Sequence, residues 1–114
     1  AHDNALTVSQ AKASIGMKDV WVNGFIVGGD LTSSSASFNP PFESATNLII
    51  AARKSVSSRE SCIAVQLPSG DVRDMLNLAE HPEMLGREVC LNGDIVESYF
   101  GLVGLKNVSD YVLK

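Results

Sequence analysis

The sequence predicts a small all-β protein with two short helices, its strands closed into a five-stranded barrel. Two observations carry this. The segments Val20-Trp-Val-Asn-Gly-Phe-Ile-Val-Gly-Gly29 and Val89-Cys-Leu-Asn-Gly-Asp-Ile-Val96 echo one another, each with Asn-Gly at its centre. Asn-Gly commonly marks a two-residue hairpin turn, yet here apolar alternation runs straight through the glycine. Trp21, Asn23 and Phe25 alternate with Val22, Gly24 and Ile26, and Val89, Leu91, Gly93 and Ile95 share one face. Glycine inside a strand marks a bend or a close approach of backbone, the device used at small-barrel corners.

The second observation is the order of elements. Leu6 to Gly16 reads as a first helix: Thr7 caps it, Gln10 completes a capping box, and Leu6 staples onto Ala11. Val8, Ala11 and Ile15 fall on one face, and Gly16 suits the C-terminal stop. Strand 1 runs about Lys18 to Gly29. The connection Asp30 to Ala45 is rich in serine and proline, which predicts an irregular, mobile segment. Strand 2 is Asn47 to Ala52, followed by a polar turn, Arg53 to Glu60. Strand 3 is Ser61 to Leu67, with Ile63, Val65 and Leu67 facing inward. Asp71 then caps a second helix whose Val72, Met75, Leu76 and Ala79 recur at helical spacing, and His81-Pro82 breaks it. Met84 and Leu85 close the barrel bottom. Strand 4 is Arg87 to Ser98 and strand 5 about Leu105 to Leu113. A helix between strands 3 and 4 of a five-stranded Greek-key barrel is the arrangement of the OB-fold.

A length of 114 residues suits one domain, 1–114, with 1–5 as a flexible N-terminus and 30–45 as a long irregular loop. A hydrophobic share of 45% argues against disorder. No apolar run reaches the ~20 residues that a membrane-spanning helix needs. The formal net charge of −4 lowers the expectation of a surface built to follow phosphates. The chain opens Ala1-His2-Asp3-Asn4 without Met, which reads as a mature or trimmed form, any targeting peptide or lipid-bearing cysteine lying outside it. Cys62 and Cys90 are too few for a disulfide framework.

Several segments together resemble a known bacterial family: Leu6-Thr-Val-Ser-Gln-Ala, Val20-Trp-Val-Asn-Gly-Phe-Ile-Val-Gly, Asn47-Leu-Ile-Ile-Ala, Cys62-Ile-Ala-Val-Gln-Leu-Pro-Ser-Gly, Leu85-Gly-Arg-Glu-Val, and Tyr99-Phe-Gly through Gly104-Leu-Lys-Asn. The family comprises exported OB-fold domains of gut bacteria, of uncharacterised function, some labelled nucleic-acid-binding lipoproteins. The resemblance implies an OB-fold and a place in the cell envelope or outside it. It defines no binding residues.

OB-folds bind through strands 2 and 3 and the loops joining strands 1–2 and 4–5. Here those loops, Asp30 to Ala45 and Ser98 to Gly104, hold Phe38, Phe42, Tyr99 and Phe100, with Arg53, Lys54, Arg59 and Lys106 as neighbouring cations. Aromatic platforms interleaved with cations are what single-stranded nucleic acid requires. The plainer reading has Tyr99 and Phe100 sealing the barrel end, and Phe38 and Phe42 either folding over its mouth or forming a partner patch. Trp21 reads as packed under the first helix, with a sugar-stacking platform as the alternative. Four zinc ligands at tight spacing are lacking, and both cysteines read as half-buried small hydrophobes. No nucleophile stands beside a base, and Gly24, Gly28 and Gly29 open no helix that could cradle phosphate. The expectation is a non-catalytic, cofactor-free binding module of the envelope whose ligand is a protein or glycan. The alternatives are weak single-strand binding by Phe38, Phe42, Arg53, Lys54, Tyr99, Phe100 and Lys106, or a structural accessory domain.

Overall fold

The computed structural model describes residues 2–114. Helix α1 spans Val8–Lys12 and α2 Asp71–Leu76; the strands are β1 Val20–Gly29, β2 Asn47–Ala51, β3 Ile63–Gln66, β4 Glu88–Tyr99 and β5 Leu102–Leu113. They form one closed sheet in the order β1-β2-β3-β5-β4. The long β1 serves two neighbours, pairing antiparallel with β4 over Val20 to Phe25 and with β2 over Phe25 to Gly29. Closure falls to a parallel join of β3 with β5, Ala64 against Gly104 and Val65 against Leu105. Of the segment 1–5, expected to be a flexible N-terminus, residues 2–4 form a 3₁₀ turn; Leu6, just beyond it, bridges Val22, and Ala1 lies outside the described residues.

Both Asn-Gly pairs sit mid-strand, and Gly93 shows why glycine is required. A Cβ there would lie 2.7 Å from the Lys106 carbonyl oxygen and 3.2 Å from Leu105 Cγ. Opposite it β5 carries a bulge: β4 steps from Asn92 to Asp94 while β5 steps from Asp110 to Lys106. Asn107, in the bulge, takes a left-handed φ of 53°, and its Nδ2 donates to Asp94 Oδ2 at 2.9 Å. The other Asp94 oxygen accepts from the Asp19 backbone N–H at 2.9 Å. Hydrogen bonds from Asn107 first, then Asp19, hold the Asp94 carboxyl below its ordinary value. One carboxylate thus ties the entry to β1 to the bulge in β5.

The main core fills the closed sheet with Val22, Ile26, Leu48, Ile50, Ile63, Val65, Leu91 and Leu105. Val8 and Ala11 of α1 and Val72 and Leu76 of α2 add to it, together with Leu78 and Met84. The Thr7–Gln10 capping box is present. Both helices are shorter than their periodicity predicts. Helix α1 ends at Lys12 and the chain turns outward, so Ile15 is 49% exposed rather than on the buried face. Helix α2 is capped by Gly70, not Asp71, and Met75 is exposed. It stops at Asn77 instead of His81-Pro82. The buried Asn77 amide donates to Arg73 O (2.8 Å) and Glu80 Oε1 (2.9 Å), and its Oδ1 accepts from the Glu80 N–H (2.8 Å). A side chain that satisfies the backbone in this way replaces the next helical turn.

Candidate functional site

A second apolar layer lies outside the closed sheet. All five residues of β2 are buried, so both faces of that strand are covered. Val27 of β1, Ile49 and Ala51 of β2, Cys62 and Ala64 form the floor of this layer, joined by Leu31 and Leu102. Phe25, Ala36, Phe38, Val56, Tyr99 and Phe100 pack around it, half-buried. Much of the cover is the 30–45 segment. The Gly29 N–H donates to Ser37 O (2.9 Å) and the Ser37 N–H to Gly29 O (2.8 Å). Approach is so close that a Cβ at Gly28 would fall 2.2 Å from that Ser37 oxygen. Thr32 Oγ1 accepts from the Ser35 N–H (2.9 Å), and Asn47 Oδ1 from the Leu31 N–H (3.1 Å). The segment is irregular, as its composition predicts, and bonds at Ser37 and Leu31 fasten it to β1 and β2.

The four loop aromatics part ways. Phe42 is only 7% exposed and belongs to the main core, so it is no part of a surface patch. The cause is Asp30, whose carboxylate accepts from the backbone N–H groups of Glu43 (3.0 Å) and Ser44 (2.8 Å) and folds that stretch inward. Tyr99 and Phe100 belong to a tight hairpin, not to a loop from Ser98 to Gly104. Tyr99 pairs with Leu102 across Phe100 and Gly101, whose φ values of 55° and 83° meet the primed-turn requirement. Gly104, read as a turn residue, lies inside β5, where a Cβ would meet that of Tyr99 at 2.6 Å.

Tyr99 and Phe100 rings lie 4.7 Å apart between centroids, tilted by 52°. Lys106 Nζ stands 5.1 Å from the Tyr99 centroid, within cation–π range. Desolvation raises the Tyr99 hydroxyl above its ordinary value, with the charge of Arg73 acting against it. Arg59 locks hairpin to loop, its Nη2 donating to Thr32 O (2.9 Å) and to Phe100 O.

Phe38 and Lys54 meet elsewhere on the same layer. They line a groove of about 270 Å³ with Asn39, Ser55, Val56 and Ser57, over a floor that includes Ile26, Val27 and Leu85. Arg53 is exposed in the same β2–β3 turn. Five of the seven residues picked from sequence therefore fall at two places on one layer, Phe38 and Lys54 at the groove and Tyr99, Phe100 and Lys106 at the hairpin; Arg53 does not line the groove. Sequence reasoning passed over Asn39, Ser55 and Ser57, because serine and asparagine in a polar stretch look alike whether or not they line a hollow. Arg59, counted among nearby cations, proves to be the clamp.

Trp21 is half-buried beside a smaller groove of about 230 Å³, lined by residues that flank α1, including Leu6 and Met17, rather than by the helix itself. Cys62 and Cys90 both keep their thiols and are fully buried rather than half-buried. Cys62 Sγ donates to Ser58 O (3.3 Å), and burial pushes its thiol up to about 11, Lys12 lowering it and Glu60 raising it. Among the described residues no three His, Cys, Asp or Glu side chains gather to hold a metal ion. Among the described residues no helix is long and apolar enough to cross a membrane.

Sheet and helices define a mostly β domain with a closed five-stranded sheet, bearing an aromatic and cationic rim around a covered outer face. The chain belongs to the family described as Domain of unknown function (DUF6359), whose model matches residues 6–114. Over 87 residues it is also 34% identical to Endonuclease YhcR of Bacillus subtilis (strain 168), a match that covers 76% of this chain and 7% of that protein. No solved structure matches.

Proposed function

We propose that this domain is a non-catalytic OB-fold module that binds single-stranded nucleic acid across the rim of its second apolar layer. The OB-fold assignment is supported by the closed order β1-β2-β3-β5-β4 with α2 between β3 and β4. The observation that carries the ligand is the rim itself: half-buried Phe38, Tyr99 and Phe100, with Lys54 at the first and Lys106 over the second. Rings that stack bases and cations that meet phosphates are the two parts a single-strand surface needs. A net charge of −4 argues the other way, and from sequence it favours a protein or glycan. Local placement counts beside that total, because phosphates respond to the charges within a Debye length, about 10 Å at 0.1 M salt. A stretch shared with a far longer relative named an endonuclease supports a polynucleotide as the ligand. Export to the envelope or beyond rests on the family resemblance. A protein ligand retains support from the Trp21 groove, where Met17 is 46% exposed.

Fluorescence anisotropy with labelled oligodeoxythymidylate at several salt concentrations tests the proposal. Binding should fall as salt rises, and Lys106→Glu should lower the slope of log K against log salt by about 0.7, the share of one phosphate contact on a single strand. Flat titrations at low salt with both DNA and RNA oligonucleotides would overturn it.

A further inference from the structure

We infer that the groove between residues 38–39 and 54–57 takes one nucleobase of the bound strand and reads its edge. This rests on the nucleic-acid reading above and adds base selectivity to it. Stacking on the Tyr99 and Phe100 rings tolerates any base, since every base has a π-face. The groove is different in kind. At about 270 Å³ it falls just below the range of pockets for drug-sized ligands, so it suits a single flat ring system. Phe38 and Val56 supply apolar walls, both half-buried and therefore partly presented to a ligand.

The polar rim selects the occupant. Asn39, Ser55 and Ser57 are exposed, neutral, and able both to donate and to accept. An Asn side chain matches the paired donor and acceptor of a base edge, and a hydroxyl adapts to either group. Ser37 Oγ donates to the Asn39 carbonyl at 2.9 Å, fixing the backbone from which that amide projects. Among the described residues Lys54 is the one charged residue lining the groove, placed to meet the phosphate of the same nucleotide. Among the described residues no carboxylate lines it. That disfavours a sugar, whose many hydroxyls call for strong acceptors, and favours an anionic ligand with a neutral ring.

The test compares labelled homo-oligomers of dA, dC and dT with the intact chain, alongside Asn39→Ala, Phe38→Leu and Lys106→Glu. The wild type should prefer one base by roughly 5- to 150-fold, the span expected of a good edge contact. Asn39→Ala, at an exposed position, should flatten that preference and leave the salt slope unchanged. Phe38→Leu keeps an apolar packing group and should weaken all three oligomers. In parallel, the preferred mononucleotide should shift the amide resonances of residues 39 and 54–57, and inorganic phosphate should move only those near Lys54. Oligomers that bind without base preference, or with one that survives Asn39→Ala, would overturn this inference while leaving the rim in place. Failure of every oligomer to bind would overturn both.

Discussion

Replacing Gly28 with alanine should pry the 30–45 segment from the sheet, and the cost can be worked out. The new Cβ would stand 2.2 Å from Ser37 O and 3.1 Å from its carbonyl carbon, both backbone atoms that cannot swing aside. The segment must move, which breaks the reciprocal pair between Gly29 and Ser37. Each such bond contributes about 1 kcal/mol net, and overpacking in a tight site adds about 1–3 kcal/mol. Alanine narrows the unfolded ensemble, which offsets about 0.4–1 kcal/mol. The balance is a loss of about 2–5 kcal/mol. With a urea m-value of about 2 kcal/mol/M, the midpoint should fall by about 1–2.5 M. Native-state hydrogen exchange gives the local readout: the Ser37 and Gly29 amides should lose protection more than Leu91 in the main core. An unfolding midpoint within about 0.2 M of wild type, with Ser37 protection intact, would refute the reasoning.

Both cysteines should resist alkylation at pH 8 in the native protein and react at once in denaturant, since the thiolate is the reactive form and burial holds Cys62 near 11; rapid native labelling counted by mass would contradict this. Asp94→Asn should destabilise the fold at neutral pH. The native carboxyl titrates below its unfolded value, about 3.9, so its contribution is present above that value and is lost as pH falls through the lower native one. Urea midpoints of variant and wild type should therefore differ at pH 7 and converge towards pH 2; a constant gap would assign the loss to packing.

The closed sheet was legible because β1 and β4 keep their alternation across Asn23-Gly24 and Asn92-Gly93, a pattern no hairpin turn would preserve. The covered outer face also left a trace. Leu48-Ile-Ile-Ala-Ala52 and Cys62-Ile-Ala-Val65 are unbroken apolar runs, the mark of strands buried on both faces. What stayed hidden depended on contacts distant in sequence or on side chains bonding backbone. Whether Phe42 folds over the barrel mouth or joins a partner patch stayed open in the sequence, because nothing local announces that Asp30 will draw Glu43 and Ser44 inward. Helix α2 looked longer because spacing at Met75 and Ala79 says nothing of the bonds Asn77 makes. The groove arises only where β1, the 30–45 segment, the β2–β3 turn and the stretch at Leu85 and Gly86 meet.

The join of β3 to β5 carries a consequence for how the chain assembles. Its two residue pairs are the narrowest contact in the sheet and bring together positions forty residues apart. Local hairpins form before distant partners find one another, because closing a long loop costs entropy before any contact repays it. The sheet should therefore pass through a stage in which β1–β2–β3 and β4–β5 exist as separate ribbons. Until both the β1–β4 and the β3–β5 seams close, each ribbon presents open edges, templates for pairing with another copy of the chain. The vulnerability to aggregation thus lies in refolding at high concentration, and it ends only when both seams have formed.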